Sequence, residues 1–273
     1  MTNMIKIHSG FAPVPNGKLF FEETGEGEAI ILVHAGIADH TMWDEQVADL
    51  AKSYRVISYD LRGYGKSEMA SAAFSHYEDL ASLCSCLDIK KAHLVGSSMG
   101  GASCLDFVLT YPDKVLSLSL VSSAIGGYEF TGPPPEPLMM LFSALGQGNW
   151  EEATELAARV WLDGPKRTTD QLDPKLRNQV KTMSSVALKN MNPSAIQPTV
   201  LEPAALKRLS EIAVPAQVIV GELDDDSILG IGELLTKYIP QAHKVVVQES
   251  AHMLNMEKPA LFNHLLLEFL AEA

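Results

Sequence analysis

The sequence predicts an α/β fold: a mostly parallel sheet of about eight strands with helices on both faces and a helical insertion in its second half. Three observations carry this reading. Several short runs are almost continuously apolar and β-branched, as strands covered on both faces are. Longer helical patterns separate most of these runs, and strand–helix alternation demands crossover connections and hence parallel strands. From about Gly126 to Ala213 the alternation stops, and only helical patterns follow one another.

The opening segment, about Ile5 to Glu23, reads as two strands around Asn16-Gly17, a hairpin turn signal. Ala29–His34 (AIILVH) is the first buried strand, and Thr41–Lys52 a helix. Tyr54–Asp60 is a strand, Ser75–Leu87 a helix, Ala92–Gly96 a strand and Met99–Thr110 a helix. The strand Val115–Val121 precedes loop chemistry at Gly126-Gly127 and Gly132-Pro133-Pro134-Pro135. Helical patterns then cover Glu136–Leu145, Trp150–Leu162 and Pro174 to about Met191. Alternation resumes with Ala216–Gly221 (strand), Ile228–Tyr238 (helix), Lys244–Gln248 (strand) and Pro259–Ala271 (helix), the last with proline where a missing N–H costs nothing. The expected division is a core of residues 1–125 and 214–273 and a helical cap of residues 126–213, with the loop Gly126–Pro137 as its hinge. No internal repeat or low-complexity tail is visible.

At 273 residues the chain suits one large domain with an insertion and needs no disulfide staples. Its net charge of −13 argues against a nucleic-acid partner, which needs a basic stripe, and against an anionic membrane surface. A small anionic substrate is not excluded, since one local arginine could hold it. The three cysteines, Cys84, Cys86 and Cys104, match no zinc spacing and read as reduced, buried thiols of a cytosolic protein. No signal peptide or membrane span is visible, and Asn192-Pro193-Ser194 has the proline that bars glycosylation. The expected setting is the cytoplasm, and the expected partner is a small-molecule substrate. Pro- and Met-rich cap segments can carry a homodimer contact.

The strongest chemical signal is Gly96-Ser97-Ser98-Met99-Gly100, a match to G-x-S-x-G. About one chain in ten of this length matches by chance, so the context matters. Here the motif joins an apolar strand to a helix. A serine on such a turn sits in a tight backbone that the small neighbours Gly96, Gly100 and Gly101 permit. The alternative is an ordinary strand–helix junction using Gly and Ser for turn and cap. A serine hydroxyl needs a base, and the base an orienting carboxylate. Three histidines follow Ser98. His264 lies inside the last helix, and His243 precedes a strand. His252 alone lies just past a strand's C-terminal end, where sites of open α/β sheets form. The strand Ala216–Gly221 runs into Glu222-Leu223-Asp224-Asp225-Asp226, a surplus of acids; Asp224 is the preferred carboxylate and Asp225 the fallback. Met99 N–H and Gly36 N–H are the expected oxyanion donors. His34, also at a strand end, reads as structural.

Together, Gly96–Gly100, Asp224 and His252 resemble the α/β-hydrolase family. Leu32-Val33-His34-Ala35-Gly36 with Trp43 is similar to its oxyanion-loop segment, with Ala35 pushing the glycine one place later than usual. Asp60–Ser67 is similar to its structural D-x-R-G-x-G-x-S segment, and Ala251-His252-Met253 with Glu257-Lys258-Pro259 to its histidine segment. The resemblance covers about residues 20–125 and 214–270 and implies an α/β-hydrolase fold. A serine nucleophile disfavours the dehalogenases and epoxide hydrolases of that family, which use aspartate. It leaves esterases, lactonases, C–C bond hydrolases, aminopeptidase-like members, cofactor-free perhydrolases and hydroxynitrile lyases. Trp161-Leu162-Asp163-Gly164-Pro165, with Trp150 upstream, looks like the cap of 3-oxoadipate enol-lactonase-like proteins. That likeness implies a carboxylate-bearing substrate and a cap cation facing it, with Arg159, Lys166, Arg167 and Arg177 as candidates. The plain alternative for each is a solvated surface charge. Ile37, Met139, Phe142 and Trp161 are candidate pocket-lining residues; Met139, Met140, Phe142 and Trp161 at helical spacing also suit cap-core packing.

The expected activity is that of a serine hydrolase acting on a small-molecule ester or lactone through an acyl-enzyme on Ser98. The alternatives are a C–C bond hydrolase or cofactor-free perhydrolase on the same triad and, from another class, a small-molecule receptor on the same fold. No metal or organic cofactor is implied.

Overall fold

The computed structural model describes residues 6–130, 133–191 and 195–273. Asn192-Pro193-Ser194 and part of the expected hinge loop, Thr131-Gly132, lie outside them.

The eight strands are β1 (His8–Val14), β2 (Gly17–Thr24), β3 (Ala29–Val33), β4 (Arg55–Tyr59), β5 (Ala92–Ser97), β6 (Val115–Val121), β7 (Ala216–Gly221) and β8 (Ala242–Val247). They form one sheet in the order β1-β2-β4-β3-β5-β6-β7-β8. The opening hairpin is antiparallel, β2 meets β4 antiparallel, and every pair from β4 to β8 is parallel. Asn16 takes the left-handed conformation that the hairpin turn requires, at φ 58°.

Burial on both faces explains why β3, β5 and β7 carry no alternation: all their residues are buried. Ala29, Ile31 and Val33 of β3 point to one core, shared with α2 (His76–Cys86), α3 (Met99–Thr110) and α7 (Asp226–Tyr238). Ile30 and Leu32 point to the other, shared with α1 (Asp44–Leu50) and α9 (Pro259–Glu272). Between β6 and β7 the chain forms α4 (Glu136–Gly146), α5 (Trp150–Ala158) and α6 (Pro174–Ala187), and no strand among the described residues. Leu141, Ala144, Ala153, Ala157 and Leu188 form a small core of their own there.

Several boundaries depart from the pattern read in the sequence. The first helix is split: a 3-10 turn, His40–Trp43, precedes α1, because Asp39 caps it by accepting from Thr41 N–H at 2.9 Å. The helix from Trp150 gives way after Ala158 to a π-helical turn, Arg159–Asp163. β8 begins at Ala242, so His243 lies within the strand, paired with Gln217. A single helical turn, α8 (Leu254–Glu257), precedes α9. All three cysteines are free; Cys84 and Cys104 are buried, but Cys86 is exposed, because it stands on the solvent side of α2.

The Asp60–Ser67 segment is built as a clamp. The buried Asp60 carboxylate accepts from His40 N–H (2.8 Å), His40 Nδ1 (2.7 Å) and Lys66 N–H (2.8 Å). Arg62 grips Asp79 through two hydrogen bonds of 2.8 and 2.7 Å.

His76, on α2, is buried against Phe74, with its Nδ1 unpartnered. Burial pushes its pKa down to about 3, with His34 and Arg62 adding to the effect. The folded state therefore holds His76 neutral while the unfolded chain protonates it below about 6.5. Stability is lost as pH falls from about 6.5 toward 3. Wild type is expected to lose about 2 kcal/mol more unfolding free energy than His76→Phe between pH 7.5 and 5. Urea titrations of both proteins at the two pH values check this; a pH-independent difference would refute it.

Candidate active site

Because β3, β5, β6, β7 and β8 lie side by side and parallel, their C-terminal ends open on one edge of the sheet. The segments singled out in the sequence leave from that edge: His34–Ile37 after β3, Ser98 after β5, Asp224 after β7 and His252 after β8.

Ser98 is the residue between β5 and α3, at φ 52° and ψ −115°. Few L-residues adopt this region, and the surroundings fix it from both sides. Its N–H donates to Val121 O (2.9 Å), and its carbonyl accepts from Ala102 N–H (3.1 Å) and Ala124 N–H (3.0 Å). A Cβ at Gly96 would lie 2.5 Å from Gly100 O, and one at Gly100 would lie 2.6 Å from His34 O. These two glycines let α3 start directly against the ends of β5 and β3.

Asp224 and His252 are both buried and face each other. His252 Nδ1 stands 3.1 Å from Asp224 Oδ1 and 3.0 Å from Oδ2. A carboxylate at Nδ1 holds the proton on that nitrogen and leaves Nε2 as the acceptor. Nε2 is buried and has no hydrogen-bond partner, Ser98 Oγ included, among the described residues. Burial alone would push the Asp224 carboxyl up, but the charge and hydrogen bond of His252 outweigh it, so Asp224 sits below the usual carboxylate range. Burial would push the imidazole down, but Asp224 above all, then Asp225 and Glu257, hold it above the ordinary histidine value.

The acids after β7 separate by direction. Asp224 turns to His252, while Asp225 caps α7, its Oδ1 accepting from Ser227 N–H at 2.8 Å. Asp226 is exposed and pairs with Lys166 at 3.4 Å. The two loops interlock: Leu223 N–H donates to Ser250 O (2.9 Å), and a Cβ at Gly221 would lie 2.5 Å from Ser250 O. His264 is exposed on α9 and pairs with Glu268 at 3.3 Å.

Gly36 and Met99 are adjacent: a Cβ at Gly36 would lie 3.4 Å from Met99 Sδ and 3.5 Å from Met99 Cβ. Among the described residues neither backbone N–H donates a hydrogen bond. His34 is fully buried behind them. Its Nε2 accepts from Leu61 N–H (2.9 Å), which leaves Nδ1 to donate to Ala35 O (2.8 Å). Both ring nitrogens are committed, so this histidine shapes the loop.

Each of the four candidate cations between residues 159 and 177 has a protein partner, and Lys166 alone of them is exposed. Arg177 binds Asp163 through Nε (2.9 Å) and Nη2 (3.1 Å) and reaches Glu155 at 2.7 Å. Arg167 pairs with Glu257 at 2.5 Å. Arg159 donates to Arg167 O (2.5 Å), and Lys166 lies 3.4 Å from both Asp226 and Glu222 O. Neighbouring acids and carbonyls take up each charge. Of the candidate lining residues, Ile37 is buried and Trp161 packs between the small core around α4 and α5 and a core of the sheet. Met139 and Phe142 are 49% and 51% exposed, because α4 turns Leu141 and Ala144 inward instead. A cavity of about 370 Å³ beside β2 and β4, lined by Glu22, His40 and Lys66, contains none of these residues.

Glu257, in the Glu257-Lys258-Pro259 segment, carries no local signal of a role in the sequence. The carboxylate is buried; it accepts Ala251 N–H at 2.9 Å, one residue before His252.

Comparison with known proteins places these features in context. A family model described as alpha/beta hydrolase fold matches residues 28–259. The chain is 31% identical, over 93% of its length and 91% of the relative's, to a 2-hydroxy-6-oxononadienedioate/2-hydroxy-6-oxononatrienedioate hydrolase of Burkholderia vietnamiensis. It is 29% identical to 3-oxoadipate enol-lactonase 1 of Acinetobacter baylyi, over 95% and 96% of the two chains. Among solved structures, a thermophilic esterase from Thermogutta terrifontis superposes with a TM-score of 0.75 at 25% identity, covering 98% of each chain.

Proposed function

The chain belongs to the alpha/beta hydrolase fold family, and from that premise we propose that it cleaves a small-molecule ester or lactone through an acyl-enzyme on Ser98. The carrying observation is the His252 imidazole: Asp224 engages Nδ1, and the buried Nε2 is committed to no other group. In this reading Ser98 Oγ attacks the carbonyl carbon while its proton passes to His252 Nε2. Asp224 stabilises the imidazolium that results. Gly36 and Met99 N–H groups bind the oxyanion. As the tetrahedral intermediate collapses, the C–O bond breaks and the leaving oxygen takes the proton from His252. Water then gives a proton to the same nitrogen, attacks the acyl carbon and releases the acid and Ser98. Residues 126–213 act as the cap, with the buried Ile37 and the part-buried Trp161 as its candidate lining residues, while Met139 and Phe142 are half exposed. The free thiols suit a cytoplasmic protein, and no helix among the described residues is long and apolar enough to cross a membrane.

A second reading, hydrolysis of a C–C bond in a vinylogous diketone, draws on the dienedioate named for the Burkholderia relative. A dioate brings two carboxylates. The paired state of Arg159, Lys166, Arg167 and Arg177 supports a substrate without them.

A fluorophosphonate tests the site directly. Peptide mass spectrometry is expected to show one adduct per chain, on Ser98, and none in Ser98→Ala. The labelling rate rises with pH as His252 loses its proton, with a midpoint above the ordinary histidine value of 6.5. Esters, lactones and diketones then separate the two readings. A folded but unlabelled wild type that is stabilised by small ligands would instead favour a receptor.

A further inference from the structure

The turn that follows α5 reaches both loops that carry Asp224 and His252. Gly164, at φ 73°, lies against them: a Cβ there would stand 3.0 Å from Ala251 Cβ and 3.2 Å from Leu223 O. The turn is held rigidly from within. Asp163 is fully buried, bound by Arg177 at 2.9 and 3.1 Å and by Thr169 Oγ1 at 3.0 Å. Arg167 folds back onto the same turn, its Nε donating to Asp163 O (2.9 Å) and its Nη2 to Leu162 O (2.6 Å). Its remaining nitrogen, Nη1, points outward to Glu257 Oε2 at 2.5 Å. The other oxygen, Glu257 Oε1, accepts Ala251 N–H at 2.9 Å. One continuous connection thus runs from the cap turn, through two buried charges, to the peptide beside His252.

We propose that Arg167 and Glu257 are positioning residues, through which docking of the turn 159–167 sets the placement of the His252 imidazole. The proposal rests on the reading of His252 as the base. A guanidinium fixed by two carbonyls has little freedom left, so its third contact transmits the position of the turn. Glu257 has both oxygens engaged, so it cannot follow Arg167 without moving the Ala251 peptide. Removing either partner would leave the other charge buried and unpaired, and the connection would be lost from both ends. The charged groups facing His252 are Asp224 and Asp225 from the loop after β7 and Glu257 from α8, with Arg167 directly behind Glu257.

The two partners carry opposite charge, and this separates positioning from general support. The His252 imidazole is followed by NMR titration in the full chain, and the fluorophosphonate rate is measured beside it. Glu257→Gln removes a negative charge near the imidazole, so the titration midpoint is expected to fall by about half a unit to one unit. Arg167→Met removes a positive charge, so the midpoint is expected to rise, by about a quarter to half a unit. Both variants are expected to label at the high-pH plateau about tenfold more slowly than wild type, and the double variant no more slowly than either. Arg167→Lys, which keeps the charge but not the fork, restores the midpoint and not the plateau. Midpoints that stay at the wild-type value, or that move together in one direction, would overturn the proposal. If Glu257→Gln fails to fold, the Met and Lys variants of Arg167 decide alone. An unlabelled wild type whose His252 midpoint still responds with both signs would discard the hydrolase reading and keep the coupling.

Discussion

Ser98→Ala is expected to lower turnover about 10⁶-fold, and Ser98→Gly to do the same while resisting urea better than the alanine variant. Both lose the oxygen proposed as the nucleophile, so activity cannot tell them apart. Stability can, because the backbone at position 98 sits at φ 52° and ψ −115°, where a Cβ costs about 1–3 kcal/mol. Alanine keeps that cost. Glycine releases it and gives back about 0.5–1 kcal/mol through the freedom of its unfolded chain. The net advantage of glycine is about 1 kcal/mol, readable as a higher urea midpoint at unchanged slope. The hydrogen bonds to Val121, Ala102 and Ala124 hold the geometry in place whichever residue stands there. Equal midpoints for the two variants would show that the turn is unstrained and that the serine is exposed for some other reason.

The parts of this site legible in the sequence are those that local rules place. An apolar strand, a Gly-Ser turn and a helix specify the Ser98 corner without reference to distant residues. His252 follows from its position beyond a strand, since parallel strands send their C-terminal ends to one edge. The choice between Asp224 and Asp225 was open in the chain because both lie on one short loop. It closes in the fold, where one carboxylate meets an imidazole and its neighbour meets a helix N-terminus. What could not be read depends on contacts across the chain. Arg167 and Glu257 are 90 positions apart, and nothing local in the chain pairs them. Arg177 finds Asp163 only because α6 packs on α5 and its π-helical turn. The single turn α8 is too short to show a period, and the 3-10 turn at His40–Trp43 hides inside a helical pattern. α4 shows the limit of periodicity from the other side: its apolar residues outnumber those it buries, so Met139 and Phe142 looked internal and are half exposed.

Asp224→Asn is expected to lower turnover about 10⁴-fold, whereas Asp225→Ala stays within about threefold of wild type and loses about 1 kcal/mol of stability. An asparagine at 224 would keep the shape of the pair and reverse its chemistry. Its amide N–H₂ would donate to His252 Nδ1, which drives the imidazole proton to Nε2 and blocks the atom proposed to accept from Ser98. Asp225 contributes differently, through the 2.8 Å bond that caps α7. Its charge also helps hold His252 above the ordinary histidine value, after Asp224. The two substitutions therefore both move the pH midpoint of labelling downward, since each removes a negative charge that favours the imidazolium. They differ in the plateau: near wild type for Asp225→Ala, about four powers of ten lower for Asp224→Asn. Labelling rates from pH 5 to 9, with urea titrations alongside, separate the effects. An active Asp224→Asn with an inactive Asp225→Ala would move the orienting role to the helix cap. The 3.0 Å contact between Asp224 and His252 would then be a structural pair with no part in proton transfer.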